Sequence, residues 1–197
     1  MLSKLVLKVF MLASSLVLWL LSWHANAWAF SFAEVYPGVN LLFLPHGMRV
    51  LLSLLFGFWG ASGIAMASLM FHRNLWSDDP WATIITPLIS GYCAWFAMKI
   101  SLGLGQHSDD RRLEKLDSRS LIGLICLSAL INSLGHVIIL STLGTQAAES
   151  HGHINLSSTF AAMFTGDLLG ALIMLYALRM IIMVFGSKTK RDPSDGT

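Results

Sequence analysis

Five apolar stretches, at about 5–23, 39–71, 82–104, 120–143 and 159–186, take up most of the 197 residues. A helix needs roughly 20 apolar residues to cross a bilayer, and each stretch is about that long or longer. Hydrocarbon offers no partner to a free backbone N–H or carbonyl, so such segments must be helices or a closed barrel. Long runs without alternation select helices. The composition agrees: 55% of residues are hydrophobic and 12% charged, with a mean hydropathy of +0.65, against roughly 45–50% apolar and 25% charged in soluble domains. The expected fold is an all-α integral membrane protein with a single transmembrane domain over 1–186 and a short polar tail at 187–197. The polar stretches are too short for a second domain.

The second stretch is too long for one crossing. As a straight helix it would reach roughly 50 Å, against a hydrocarbon core of roughly 30 Å. Gly57, Gly60 and Gly63 lie near its middle and offer a place to turn, giving short helices near 41–56 and 61–72. The basic residues make the same demand independently. Segment 106–119 carries Arg111, Arg112, Lys115 and Arg119, and the tail carries Lys188, Lys190 and Arg191, so both read as cytoplasmic. Segment 144–158 has neither Lys or Arg and reads as external. Lys4 and Lys8 hold the N-terminus inside, and 24–38 is left outside. Residues 39–71 then start and finish outside, which predicts about six helices with both ends cytoplasmic.

Two further readings concern the first stretch and its flanks. Ala25-Asn26-Ala27 resembles a small-residue cleavage site, but the apolar run through Trp23 is long enough to span, so an uncleaved anchor is expected. Trp23, Trp28, Trp76 and Trp81 flank the external ends as an interfacial belt would, and Trp59 falls at the opposite interface. Cys93 and Cys126 both lie in apolar stretches and read as small hydrophobes rather than a disulfide. The 13 basic residues are scattered, which argues against a nucleic-acid partner.

Ionisable groups at membrane depth mark the candidate site, since a charge there costs about 2.5–3.5 kcal/mol on insertion scales and usually has a partner in the bundle interior. Arg49 and Asp167 each fall about eight residues in from an external helix end and are expected to pair. His46 lies one turn from Arg49 on the same face, and Asn132 and His136 share a face of another helix. Comparable depth would let His46 and His136 act as axial haem ligands or bind a metal, although spacing supplies no further ligand and no metal site is assigned. His151 and His153 flank a glycine in the external loop and are weak ligand candidates. Pro45 and Gly47 are expected to break the backbone ladder beside Arg49. Gly166 and Gly170 flank Asp167 at the spacing that lets another helix approach closely. Lys99 and Arg179 lie nearer the cytoplasmic ends and can snorkel there.

Two stretches, VNLLFLPHGMRVLLSLLFGFWG and FTGDLLGALIMLYALRMI, resemble the two signature regions of the membrane-associated sensor domain of the first type, the MASE family, a bacterial module. The matching positions are Pro45, Gly47 and Gly57, then Gly166, Asp167 and Gly170, and the likeness runs from about 11 to 185. It implies a sensor in the bacterial inner membrane. Usual members have roughly eight helices and are fused to kinase or cyclase domains. Here the chain ends about a dozen residues after the last apolar stretch, so the resemblance implies a short stand-alone form that passes its signal to a partner.

The leading expectation is therefore a sensor-like domain with a ligand cavity opening externally, centred on Arg49, His46 and Asp167. A small transporter, or the substrate-binding subunit of one, would use the same polar midplane pocket and broken helix, with 106–119 docking an energising subunit. A haem-binding membrane protein is the third reading. No nucleophile with its base and no metal-ligand set has recognisable spacing, so an enzyme is not expected. The residues leave the cofactor unknown.

Overall fold

A computed structural model describes residues 2–36, 39–72, 80–101, 118–143 and 155–186. It is an all-α bundle of five long helices, each long and apolar enough to cross a membrane. In chain order they are α1 (Leu2–Phe30), α2 (Leu44–His72), α3 (Pro80–Ser101), α4 (Ser118–Leu143) and α5 (Leu156–Gly186). Between α1 and α2 runs a 3-10 turn, Ser31–Ala33, and a small antiparallel hairpin of β1 (Glu34–Tyr36) and β2 (Val39–Asn40). The hairpin pairs Glu34 with Asn40 and Tyr36 with Val39.

The central element is α2, which touches α1, α3 and α5; α4 closes the ring between α3 and α5. It is not one straight rod. Gly57 has φ 58° and ψ −130°, the dihedrals of the first central residue in a type II′ turn, where a side chain is strained and glycine is at ease. A Cβ at Gly60 would collide with the carbonyl oxygen of Leu52, although residues eight apart in an unbroken helix lie roughly 12 Å apart. Leu52 and Ile64 share one core cluster with Trp19. The indole of Trp23 meets both Phe43, just before α2, and Phe71, near its end, at ring separations of 5.7 and 4.9 Å. The element therefore doubles back at Gly57 into two arms, 44–56 and 58–72, of roughly 20 Å each at about 1.5 Å per residue. Of the three glycines expected to turn the chain, Gly57 does so. Gly60 and Gly63 allow close packing, Gly63 against the backbone of Leu12 and Leu16 in α1.

Two apolar clusters hold the bundle. One joins Trp19 of α1 to Leu52, Ile64 and Ala67 of both arms. The other joins Val50 and Leu54 to Cys93, Ala94, Ala97 and Met98 of α3, Leu124 and Ile125 of α4, and Ala171 of α5. The inner faces also carry small and hydroxylated side chains, such as Ser15, Ser22, Thr83, Ser90 and Ser128, all buried. Large apolar residues point outward, among them Leu21, Phe96, Ile138 and Tyr176. Such a distribution suits lipid surroundings, where outward burial is supplied by hydrocarbon and small residues let helices approach closely. Cys93 and Cys126 are free thiols.

The start of α2 differs from the expectation. The helix begins at Leu44, so Pro45 stands in the first turn, where its missing N–H would have had no intrahelical partner, and it does not break the ladder. The Leu44 N–H is instead taken by Oδ1 of Asn26, at 2.8 Å, so α1 caps α2 across 18 residues of sequence. Gly47 gives the close approach of α2 to α5, where an added Cβ would meet Ala171 and Met174. Gly166 and Gly170 likewise have a different neighbour from the helix expected. They seat the extended segment entering α2, their Cβ positions falling on the carbonyl oxygens of Asn40 and Phe43. The Phe43 N–H donates to the Gly166 carbonyl at 3.0 Å.

Candidate functional site

The segment seated on Gly166 and Gly170 carries the first turn of α2 against α5, and this brings the candidate residues together. Asp167 is 2% exposed and His46 and Arg49 are 0% and 3% exposed. Nδ2 of Asn132 donates to Oδ2 of Asp167 at 2.7 Å. Nδ1 of His46 lies 3.3 Å from the same carboxylate oxygen and 3.4 Å from Nη1 of Arg49. Nη2 of Arg49 donates to Oγ of Ser90 at 3.0 Å. Four side-chain contacts thus join α2, α3, α4 and α5 through one polar cluster.

The expected ion pair takes an indirect form. Among the described residues no Arg49–Asp167 contact falls within 4 Å, and His46 stands between the two charges. The guanidinium lies over two aromatic rings instead, 5.2 Å from the centroid of Phe43 and 5.8 Å from that of Trp19, so the ring quadrupoles take part of its charge. His46 Nδ1 cannot serve both neighbours at once. With a proton it donates to Asp167, and without one it accepts from Arg49.

Arg49, Ser90, Asn132 and Asp167 border a cavity of about 280 Å³, and His46 stands behind them outside its lining. Arg49, Ser90, Asn132, His136 and Asp167 line its polar side, and Trp19, Trp23, Val39, Phe43, Phe71, Ile139, Leu140 and Met163 its apolar side. All five helices and β2 contribute. His136 reaches the cavity but not His46: its Nδ1 lies 2.8 Å from the Asn132 carbonyl one turn back on α4. Among the described residues no group of three or more His, Cys, Asp or Glu is placed to hold a metal. His151 and His153, and most of segments 106–119 and 144–158, lie outside the described residues.

Several lining residues were not foreseen. Trp19 is 1% exposed and Trp23 lines the cavity rather than serving only as a belt residue. Trp28 and Trp81 are exposed as a belt requires. The signal for Trp19 was present in α1, whose buried residues Ser15, Trp19, Ser22 and Asn26 repeat every three or four positions, the spacing of one helical face. Ser90 had a similar signal on α3, where Thr83, Thr86, Ser90 and Ala94 are buried.

The fold and the cluster define a class, a multi-helix bundle with membrane-spanning character and a mostly apolar cavity bordered by a buried polar cluster. Compared with protein-family models, curated proteins and solved structures, the chain matches none of them.

Proposed function

We propose that the chain is a multi-pass protein of the bacterial inner membrane that binds a small ligand in the cavity beside Arg49 and Asp167, and passes the event to a partner protein as a sensor domain does. The likeness of its Pro45–Gly47–Gly57 and Gly166–Asp167–Gly170 positions to the MASE sensors is in keeping with this. Both ends are cytoplasmic and the arms of α2 make the second and third of six crossings. Two features support that topology. The basic residues cluster at 106–119 and in the tail. The Gly57 turn brings Trp59 under the ammonium of Lys8, 5.1 Å from the ring centroid, at the end of α1 that carries the N-terminus. Arms of roughly 20 Å are shorter than a core of roughly 30 Å, so the bilayer thins or the polar flanks enter it there. The parity is unaffected, because a doubled-back element leaves on the side it entered.

One observation carries the binding reading: side chains from five helices converge on one cavity, and charged groups in a membrane interior usually mark a ligand or ion pathway. The volume suits a small molecule rather than a lipid tail, being near the lower end of ligand pockets. The test is release of small molecules from protein purified in mild detergent, with Ala82→Leu, which fills the wall of the cavity, as the comparison. A compound recovered from the wild type and depleted from a folded Ala82→Leu supports the reading. Identical small-molecule contents in the two proteins would remove it. Uptake by proteoliposomes separates a transporter from a sensor, since a transporter moves the bound compound and a sensor retains it.

A further inference from the structure

A second cavity, a groove of about 510 Å³, runs along α3 and shares no lining residue with the one beside Arg49. Leu88, Tyr92, Trp95 and Phe96 line it, joined by Ile131 of α4 and Phe58 of α2. Leu88, Phe96 and Phe58 are each about half exposed, so the groove opens on the face that hydrocarbon covers. α3 and α4 come together at its Ile89 and Gly135, where an added Cβ would fall 2.7 Å from Ile89 Cγ2. The two polar side chains of the lining are already engaged. Tyr92 Oη lies 2.8 Å from Ser62 Oγ, and the Cys93 thiol donates to the Ser90 carbonyl at 3.4 Å. The side chains of the groove therefore offer an occupant apolar contact alone.

Past Phe96 the chemistry changes. The ammonium of Lys99, one turn along α3 from Trp95, lies 5.8 Å from the centroid of the Trp95 ring. A second ammonium, that of Lys8, lies 5.1 Å from the centroid of Trp59. Trp59 meets Phe58 at 5.8 Å, and Phe58 meets Trp95 at 5.7 Å. Two cations thus rest on one connected group of rings that includes two lining residues of the groove. Among the described residues neither ammonium has a carboxylate within 4 Å. The acidic residues among those described are Glu34, in the hairpin, and Asp167, which is buried in the polar cluster.

We infer that the groove holds an acyl chain of an anionic phospholipid whose phosphate meets Lys99 and Lys8. An apolar trough with unneutralised cations beyond it complements an amphiphile with a hydrocarbon body and an oxyanion head. The length agrees. From Leu88 to Lys99 is roughly 16 Å of helix, and one leaflet of a hydrocarbon core of roughly 30 Å is roughly 15 Å deep. A helix of a second copy could cover the apolar wall, but among the described residues it would bring no exposed helical carboxylate to the lysines. The inference does not depend on ligand binding in the cavity beside Arg49.

The test is lipid retention by the full chain in mild detergent, read by native mass spectrometry after adding equal amounts of phosphatidylglycerol and phosphatidylcholine with identical chains. Phosphatidylglycerol should be preferred at least tenfold. Lys99→Gln and Lys8→Gln should each reduce that preference about fivefold, the equivalent of roughly 1 kcal/mol, and Lys99→Arg should keep it. Retention of phosphatidylcholine should be the same in all three variants. Leu88→Trp, which narrows the groove, should lower retention of both lipids. A second measurement is independent of that variant. In proteoliposomes, phosphatidylglycerol brominated in its chains should quench tryptophan fluorescence more than brominated phosphatidylcholine, and most of the difference should be lost in Trp95→Phe. Equal retention of the two lipids, or a preference that survives the double variant Lys8→Gln with Lys99→Gln, would overturn the inference. Displacement of the lipid by glycerol phosphate would overturn it too, by making the lysines a phosphate site that needs no chain. So would a lipid-free dimer that Leu88→Trp dissociates, which would give the groove to a second copy.

Discussion

Removal of the Asp167 carboxylate is the most informative perturbation of the cluster, because side chains from two other helices converge on one of its oxygens. Asp167→Leu leaves Asn132 Nδ2 without the acceptor that lay 2.7 Å away, while His46 Nδ1, which lay 3.3 Å from the same oxygen, can turn to accepting from Arg49. One orphaned buried group gives a loss of roughly 1–3 kcal/mol. Membrane proteins lower that figure, since the unfolded chain in detergent also finds partners and single interhelical hydrogen bonds there average about 0.6 kcal/mol, with about 1.7 as the largest. The expected single-mutant loss is therefore about 1–2 kcal/mol, and the Asp167–Asn132 coupling about 0.6–1.7 kcal/mol. The assay is reversible unfolding of wild type, Asn132→Leu, Asp167→Leu and the double variant in one detergent. The double variant should lose less than the sum of the singles, as it leaves neither an unpaired carboxylate nor an unpaired amide. Losses additive to within about 0.3–0.5 kcal/mol would refute the reasoning, because that is the behaviour of residues sharing no partner.

Further outcomes follow from single positions. Gly57→Ala should cost about 1–3 kcal/mol in the same unfolding assay, from a side chain held at positive φ, whereas Gly123→Ala, whose Cβ would meet nothing within 4 Å, should be neutral or stabilising by up to about 1 kcal/mol. Asn26→Ala should lose about 1 kcal/mol, because the half-buried Leu44 N–H would lose the side-chain acceptor that caps the helix. Gly170→Ala should destabilise by about 1–3 kcal/mol, since the Cβ overlaps the Phe43 carbonyl and α5 or the segment entering α2 must move. Reporter fusions after Gly105 and at the C-terminus should read cytoplasmic, and one after Glu149 external; a cytoplasmic signal from the last would exclude the proposed topology.

The apolar segments and the turn near Gly57 were legible in the sequence because membrane length and glycine chemistry act locally. Arg49, His46, Asn132 and Asp167 were legible as site candidates for a related reason, their polarity being unaffordable in hydrocarbon without company. What was not legible is which of them touch. Depth counting placed Arg49 and Asp167 at one level and paired them, but α2 begins at Leu44 and α5 at Leu156, so Arg49 is about one turn in from its helix start and Asp167 about three. The crossing of the 40–43 segment over Gly166 and Gly170 sets their relation, and no residue spacing encodes it. Pro45 was misjudged from the same boundary: a helix start about three residues later than assumed, at Leu44 rather than near 41, changes a ladder break into a first-turn proline.

The cap from Asn26 to Leu44 and the packing of Trp23 between Phe43 and Phe71 tie these facts into one mechanism of positioning. Asn26 and Trp23 are one turn apart on α1, and between them they fix both where α2 starts and where its second arm ends. The start of α2 in turn carries His46 and Arg49, so the placement of the cation depends on α1, while the placement of Asp167 depends on the glycines of α5. The two charges of the cavity are thus held by separate parts of the bundle, with His46 as their shared contact. A change in the tilt of α1 would move Arg49 relative to Asp167 without disturbing the Asp167–Asn132 bond. On the binding role proposed above, a ligand in contact with both charges would favour one tilt of α1 over another, which is the differential interaction a binding event must have in order to shift a conformational equilibrium.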